Sequence, residues 1–510
     1  MNDVTDRQDD VLAFLADPAS HGGQNVKRID THAASVFLAG DRALKIKRAI
    51  RYPFLDYSTL AKRKAACEAE LAVNAPYAPE IYRRVVAITR QADGTLAIGG
   101  DGLPVEWAVE MRRFDDRRTL DHLAGQIDEA LADALGRAVA AAHARAQPVE
   151  AEPWIAAIGS YIDEHAEAFG QYPDIFDRVE IDSFARAERA AYERIVPLLR
   201  ERARRGLVRR VHGDLHLGNI VLIDGKPVLF DAIEFSDVIA SGDVIYDLAF
   251  LLMDLCERGL TLAANVVLNR YLTETHKAED FDGLAALPFF LAMRAAIRAV
   301  VTVARMERAA SADRAAIAAS ARAYFAFAQR AIAPPKSTLI AIGGLSGTGK
   351  TRLARDLAPL IGPLPGAVIV RSDVERKALF GVAETERLPE QAYTTAVNEH
   401  VYAMLAEKAR RILAAGHAAI VDAVFAQPAE RAALAAAASA AGAPLQGLFL
   451  VADLRARLAR VGARRRDASD ATVDVAQSQE NYDLGPLDWR QIDASGTPAE
   501  TAARARSALD

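Results

Sequence analysis

Apolar positions along this chain fall into rhythms that change with the region. Between residues 26 and 115 short apolar runs recur at strand length: Ser35-Val-Phe-Leu38, Ala43-Leu-Lys-Ile46, Arg84-Val-Val-Ala-Ile88 and Val105-Glu-Trp-Ala-Val-Glu-Met111. One stretch among them, 58–75, carries the spacing of an amphipathic helix. From residue 119 onward the spacing is mostly helical, interrupted by strand-like runs near 208–231, and it ends in a long Ala- and Arg-rich helical stretch over 284–332. Ala333-Pro-Pro-Lys-Ser337 stops that helix, because proline lacks the donor and clashes with the preceding turn. Beyond it, apolar strands at 339–342, 367–370, 418–421 and 447–451 alternate with amphipathic helices, which predicts a parallel sheet with helices on both faces. The expected organisation is a first domain over 1–332 (a sheet-rich lobe at about 26–115, a helical lobe at about 116–332), a linker at 333–337 and a second domain at 338–510.

Composition narrows the class. A chain of 510 residues is too long for one core. Hydrophobic residues make up 51% and charged residues 25%, as in ordinary globular domains, and the net charge of −6 argues against a nucleic-acid or membrane-surface binder. Cys67 and Cys256 are the only cysteines and lie far apart, so neither a disulfide framework nor a thiolate zinc site is expected, and a reducing cytoplasm fits. The polar, acidic start MNDVTDRQDD does not read as a signal peptide. No apolar run reaches the roughly 18 residues of a membrane span. The apolar segment Leu287–Met293 is followed by Arg294 and Arg298 and predicts a buried helix.

Two stretches carry chemistry. The first is His212-Gly-Asp-Leu-His-Leu-Gly-Asn219, which fits the kinase catalytic-loop pattern H-x-D-x-x-x-x-N. In such a loop Asp214 takes the proton of an attacking hydroxyl, and Asn219 comes back round to hold a metal ion on the phosphates. Val228-Leu-Phe-Asp231 supplies a second metal-side carboxylate at the end of a short apolar strand, with Glu234 following. A lysine must pair the phosphates from the small lobe. Arg42-Ala-Leu-Lys45 suits that role by motif spacing, although Lys47 lies on the same strand face. The partner on the helix is Glu68 or Glu70, with Glu68 preferred. No glycine-rich loop precedes the lysine strand, and Thr31-His-Ala-Ala-Ser35 is the local candidate for a phosphate cover. Adenine would lie against the backbone near Glu110 and Met111.

These residues resemble the aminoglycoside phosphotransferase family, the small-molecule branch of the protein-kinase-like fold. The resemblance covers roughly 26–332 and rests on HGDLHLGN, on Phe230-Asp-Ala-Ile-Glu-Phe235 and on Asp243-Val-Ile-Tyr-Asp247. It implies an α+β, two-lobed domain that uses ATP and Mg²⁺, with Asp243 and Asp247 bracing the catalytic loop. Asp231-Ala-Ile-Glu stands where protein kinases carry D-F-G, and no A-P-E segment follows, which points to a metabolite kinase.

The second stretch is Gly344-Leu-Ser346-Gly347-Thr348-Gly349-Lys350-Thr351, a complete phosphate-binding P-loop between an apolar strand and a helical run. Its glycines let backbone N–H groups close on phosphates, Lys350 reaches the β- and γ-phosphates, and the Thr351 hydroxyl ligates Mg²⁺. Val368-Ile-Val-Arg-Ser-Asp373-Val-Glu-Arg376 ends a strand in a carboxylate, so Asp373 is the expected base and Arg376 a clamp on substrate or phosphate. Asp422, closing the next apolar strand, is the expected partner of the magnesium shell. In the arginine-rich segment 457–470, Arg460 and Arg464 share one helical face and are candidates for a lid over the transferring phosphoryl group. Residues 338–485 resemble P-loop small-molecule kinases such as gluconate kinase, chloramphenicol phosphotransferase and the kinase domain of polynucleotide kinase, on GGLSGTGKT, SDVER and VDAVF. That resemblance implies an α/β P-loop NTPase domain with a parallel sheet.

Together these readings predict a cytoplasmic bifunctional kinase acting on small-molecule hydroxyls. Two alternatives stay open: one catalytic half regulated by the other, and a nucleic-acid end kinase, which the acidic net charge disfavours.

Overall fold

The computed structural model describes residues 8–31, 33–52, 55–463 and 468–509. These residues group into two compact units: those up to Tyr161 together with Leu199–Asp254, and Ile162–Leu198 together with Leu255–Asp510.

The first unit is built on a six-stranded antiparallel sheet. Its strands run, in spatial order, Val26–Asp30, Ala34–Ala39, Arg42–Lys47, Leu103–Arg112, Tyr82–Arg90 and Leu96–Ile98. One face buries Phe37, Leu44, Ile46, Val86, Ile88 and Ala108 with Val11 and Leu15 of the short helix Asp9–Ala16. The other face meets the helix Leu60–Asn74, capped by Thr59 and burying Arg63, Cys67, Glu70 and Asn74. Those four positions are spaced four, three and four apart, one stripe of an α-helix. Short strands at Val208–Arg210, Ile220–Ile223 and Lys226–Leu229 carry the segment the sequence marks as catalytic. The outer strands Val26–Asp30 and Leu96–Ile98 escape the sequence pattern because no residue of either is fully buried.

The second unit contains a five-stranded parallel sheet in the order Val368–Arg371, Ala419–Asp422, Leu339–Gly344, Leu445–Val451, Arg490–Asp493. Ile340, Ile342, Ile420 and Leu448 pack with helices Lys350–Leu357 and Pro498–Leu509. Ala341 and Val421, alternating with them, are also fully buried, so both faces are covered, as a parallel sheet requires. The fifth strand carries one buried residue, Ile492, which is why no apolar run announces it.

Helices Thr261–Thr275, Leu287–Ala304 and Ser311–Ile332 belong to the same unit. The stretch expected as one helix over 284–332 is therefore two, folded against each other after a 3₁₀ turn at Arg305–Arg308. Ala278–Glu307 is long and apolar enough to cross a membrane, yet two-thirds of its most apolar window (67%) is buried in protein. Cys67 and Cys256 are both buried and free.

Candidate active sites

In the first unit five segments distant in sequence meet around the catalytic-type loop. Asp247 holds the loop from beneath: its carboxylate accepts from the backbone N–H of His212 (3.3 Å) and Gly213 (2.8 Å) and from His143 Nε2 (3.0 Å). Asp254 accepts from Leu217 N at 2.9 Å, and Asp243 is locked by Arg202 at 2.6 and 2.8 Å. His212 donates from Nε2 to the Phe230 carbonyl (2.9 Å), tying the loop to the strand end that carries Asp231. Burial lowers the pKa of the His212 ring, so it serves as a neutral brace. Asn219 donates to both the backbone carbonyl and Oδ2 of Asp214, each at 3.0 Å. His216 accepts from Gly218 N through Nδ1, leaving its Nε2–H directed at Asp214 Oδ2, 3.5 Å away. The Asp214 side chain is 39% exposed, so it is oriented yet open to an incoming hydroxyl.

Asp231 has a left-handed backbone (φ +61°), unusual for a residue with a Cβ. Three neighbours hold it there. Its N–H donates to Tyr82 Oη at 3.2 Å, and Asn74 clamps the next residue by bonding both the N–H (2.7 Å) and the C=O (3.1 Å) of Ala232. Lys45 Nζ reaches Asp231 at 2.7 Å and Glu70 at 2.8 Å. Lys47 reaches the other Glu70 oxygen at 2.6 Å and also pairs with Glu234. Burial disfavours the charge on Lys45, but Asp231 and Glu70 outweigh it and hold its pKa well above the usual range. Burial likewise opposes ionisation of Glu70, and the two lysines override it, so the pKa falls.

This geometry corrects the preference for Glu68. Glu68 is one residue off the buried stripe, 55% exposed, and paired with Lys64 at 3.5 Å. Glu70, fully buried, joins the two lysines. The stripe 63-67-70-74, legible as helical phase, carries Glu70 and not Glu68. Lys45 and Lys47 divide the work, Lys45 on the Asp231 side and Lys47 on the Glu234 side. Met111 lies one rung before the Arg42–Arg112 end of its strand pairing, flanked by Ala43 and Tyr82, and packs against the buried cluster that includes Cys67, Val109 and Val221. At the turn proposed as a phosphate cover, Thr31 closes on Ala34 (2.8 Å), while His32 lies outside the described residues.

In the second unit the P-loop is contiguous. Gly344, Gly347 and Gly349 have φ of +137°, +88° and +94°. A Cβ on Gly347 would stand 2.6 Å from the Arg457 carbonyl oxygen, so glycine is required there by space as well as by φ. Ser346 is gripped from both sides: its N–H donates to Gln479 Oε1 (2.7 Å), and its carbonyl accepts from Arg457 Nε (2.9 Å). Thr348 Oγ1 donates to the Leu345 carbonyl (2.8 Å), toward which Lys350 Nζ also points (3.3 Å). Thr351 Oγ1 donates to Asp422 Oδ2 at 2.6 Å. Arg371, to which the sequence reading gave no role, donates to Thr351 Oγ1 (3.1 Å) and stands 3.5 Å from Asp422.

Asp373 is the second residue of the helix Ser372–Leu379, whose start has no side-chain cap. Burial raises its pKa and Asp422 raises it further, while Arg371 and Lys350 pull it down. Arg376 donates to the Ala392 carbonyl (2.7 Å) and lies 5.0 Å over the Tyr393 ring. The lid expectation is corrected for Arg460. It donates to the carbonyls of Ser495 and Gly496, toward the final helix, because Arg457 and Val461 form the buried face of Leu454–Gly462. Arg457, one turn earlier in phase, is the arginine of this helix that reaches the P-loop. Arg464 lies outside the described residues.

Both sites offer oxygen donors suited to a hard divalent cation: Asn219 and Asp231 in the first, Thr351 and Asp422 in the second. The left-handed glycines around Lys350 form a loop of the kind that binds polyphosphate through backbone N–H groups.

Two family models match this chain. Residues 59–287 match the phosphotransferase enzyme family, and residues 339–482 match the AAA domain. The protein Rv2004c of Mycobacterium tuberculosis (strain ATCC 25618 / H37Rv) is 30% identical over 487 residues, 92% of each chain. Among solved structures, a choline/ethanolamine kinase family protein from Mesorhizobium loti aligns over 64% of this chain and 98% of its own, at 15% identity and TM-score 0.38. A gluconokinase from Sinorhizobium meliloti 1021 aligns over 34% of this chain and 91% of its own, at 19% identity and TM-score 0.26.

Proposed function

This chain belongs to the family of the mycobacterial protein Rv2004c and joins a phosphotransferase domain to a P-loop AAA domain, both of kinase type; we propose that each domain moves the γ-phosphoryl group of MgATP to a hydroxyl of a small molecule. One observation carries the reading. Each site pairs a carboxylate for the acceptor (Asp214, Asp373) with a lysine for the phosphates (Lys45, Lys350) and an oxygen pair for the metal (Asn219 with Asp231, Thr351 with Asp422).

Bound MgATP would supply the transferable group and, through its metal, charge stabilisation of the phosphoryl oxygens. The chain's own residues do the rest. Asp214, oriented by Asn219 and His216, accepts the proton of the acceptor hydroxyl; Lys45, oriented by Glu70, steadies the phosphates. In the second site Asp373 takes the acceptor proton, and Lys350 with the backbone of 344–351 steadies the phosphates. Arg376, stacked on Tyr393, lines the acceptor side. The acidic net charge favours small acceptors over nucleic acid, and two buried free thiols suit a reducing cytoplasm.

The test is transfer from γ-labelled ATP into a metabolite extract, with wild type beside Asp214→Asn and Lys350→Ala. Each substitution should remove a different labelled product. Labelled products unchanged in both variants would sink the proposal. One observation favours a second reading, a first domain that senses ATP: the glycine-free turn after Asp30 closes on itself. Loss of one and the same product in both variants would support it.

A further inference from the structure

The edge of the P-loop sheet is covered by a helix that the phosphotransferase match includes. Strand Val368–Arg371 pairs with Ala419–Asp422 on one side only, so its other side exposes the carbonyl of Ala367 and the N–H of Ile369. Two asparagines of helix Thr261–Thr275 meet those groups. Asn269 accepts from Ile369 N through Oδ1 at 2.7 Å and donates to Ala367 O through Nδ2 at 3.3 Å. A carboxamide has the atoms of a peptide unit, so Asn269 acts as one rung of a further strand. Asn265, 2% exposed, adds a second donor to Ala367 O at 3.0 Å, and its own carbonyl and Oδ1 accept from Asn269 Nδ2 at 3.0 and 3.1 Å. The next residue, Arg270, pairs with Glu384 at 2.5 Å. Adjacent residues of one helix therefore grip both ends of segment 367–384, which carries Arg371 on Thr351 and Asp422, Asp373, and Arg376 on Tyr393.

We infer that helix Thr261–Thr275 is a working part of the P-loop kinase, with Asn269 and Arg270 as positioning residues for Arg371, Asp373 and Arg376. The phosphate cradle at 344–351 follows a different strand and meets this segment through Arg371 on Thr351, so the helix acts first on the acceptor side and only weakly on nucleotide binding. Rung-by-rung pairing fixes where a strand's last side chains point, and Ile369 is two residues before Arg371. The inference rests on the second site being catalytic.

The experiment uses the full chain with Asp214→Asn in place, reading ATP hydrolysis that Lys350→Ala abolishes, the Kd of a fluorescent ATP analogue, and thermal unfolding. Asn269→Leu removes both amide bonds at similar volume. Its kcat should fall about tenfold to a hundredfold, with Kd within about twofold, since small displacements of positioned groups cost that much. Asn269→Asp keeps the acceptor for Ile369 N and should lose less, recovering further as the pH is lowered and the carboxyl gains a donor for Ala367 O. Arg270→Met tests the far grip in a variant whose helix is otherwise unchanged. Unchanged kcat per folded molecule in Asn269→Leu and Arg270→Met would overturn the inference, as would kcat and Kd changing together. Failure of the underlying reading looks different: Lys350→Ala would then leave hydrolysis as it was.

Discussion

The two phosphate sites are built on opposite plans. The first is assembled from five side chains on four separated segments, Lys45, Glu70, Asp214 with Asn219, and Asp231, joined by ion pairs and a hydrogen bond. The second is one contiguous loop, 344–351, whose backbone does the binding and whose side-chain partners, Thr351 with Asp422 and Ser346 with Arg457 and Gln479, hold the loop still. The first plan makes function and stability depend on the same charges. In the second the two separate, because a backbone cradle survives the loss of its lysine.

That contrast can be broken at several points. Asp214→Asn should lower turnover of the first site by about 10²- to 10⁴-fold, the usual worth of a positioned base, with kcat as the readout. Lys350→Ala should cost the second site about 10²- to 10³-fold while leaving thermal stability within about 1 kcal/mol, because its bond to the Leu345 carbonyl is long at 3.3 Å and the cradle itself is backbone. Glu70→Gln should do both kinds of harm. Two buried lysines would share a neutral partner, at about 3–5 kcal/mol by denaturant titration, whereas Glu68→Gln should stay within about 0.5 kcal/mol.

Acid adds a test of the second unit. His417 is 1% exposed, donates to the Gly366 carbonyl, and is held neutral by burial down to about pH 4. An unfolded histidine takes up its proton near pH 6.5. The folded pKa lies lower, so the unfolded state binds more protons between those values. Stability should therefore be whole above pH 6.5 and fall progressively toward pH 4, by about 3 kcal/mol. His417→Gln should flatten that slope in urea titrations across the window. Smallest of all, Arg460→Ala should change neither kcat nor stability by more than about 0.5 kcal/mol, since its bonds are to two loop carbonyls.

Contiguity also governs what the sequence could reveal. The loop 344–351 and the run 212–219 are local motifs, and both stand in the expected strand-and-turn context. The strands of the buried sheets were legible because whole apolar runs line them. Partners fixed by helical phase were legible in principle and misread in practice. Glu70 and Arg457 lie on the buried stripes of their helices, and Glu68 and Arg460 sit just off them. Arg490–Asp493 offered one apolar residue, too little for any periodicity. Asn265 and Asn269 had no signal at all: their roles arise from a main-chain edge brought to them from about a hundred residues away.

The covered edge at Ala367–Ile369 has a consequence for how this chain can be divided. A fragment starting at the family boundary near residue 338 would leave behind Asn265 and Asn269, and with them the groups that saturate that strand. An unsheathed strand edge recruits another strand, and the nearest supply is an identical molecule. Such a fragment should therefore self-associate through Val368–Arg371, while one reaching back to residue 255 keeps its own sheath and stays monodisperse at that edge.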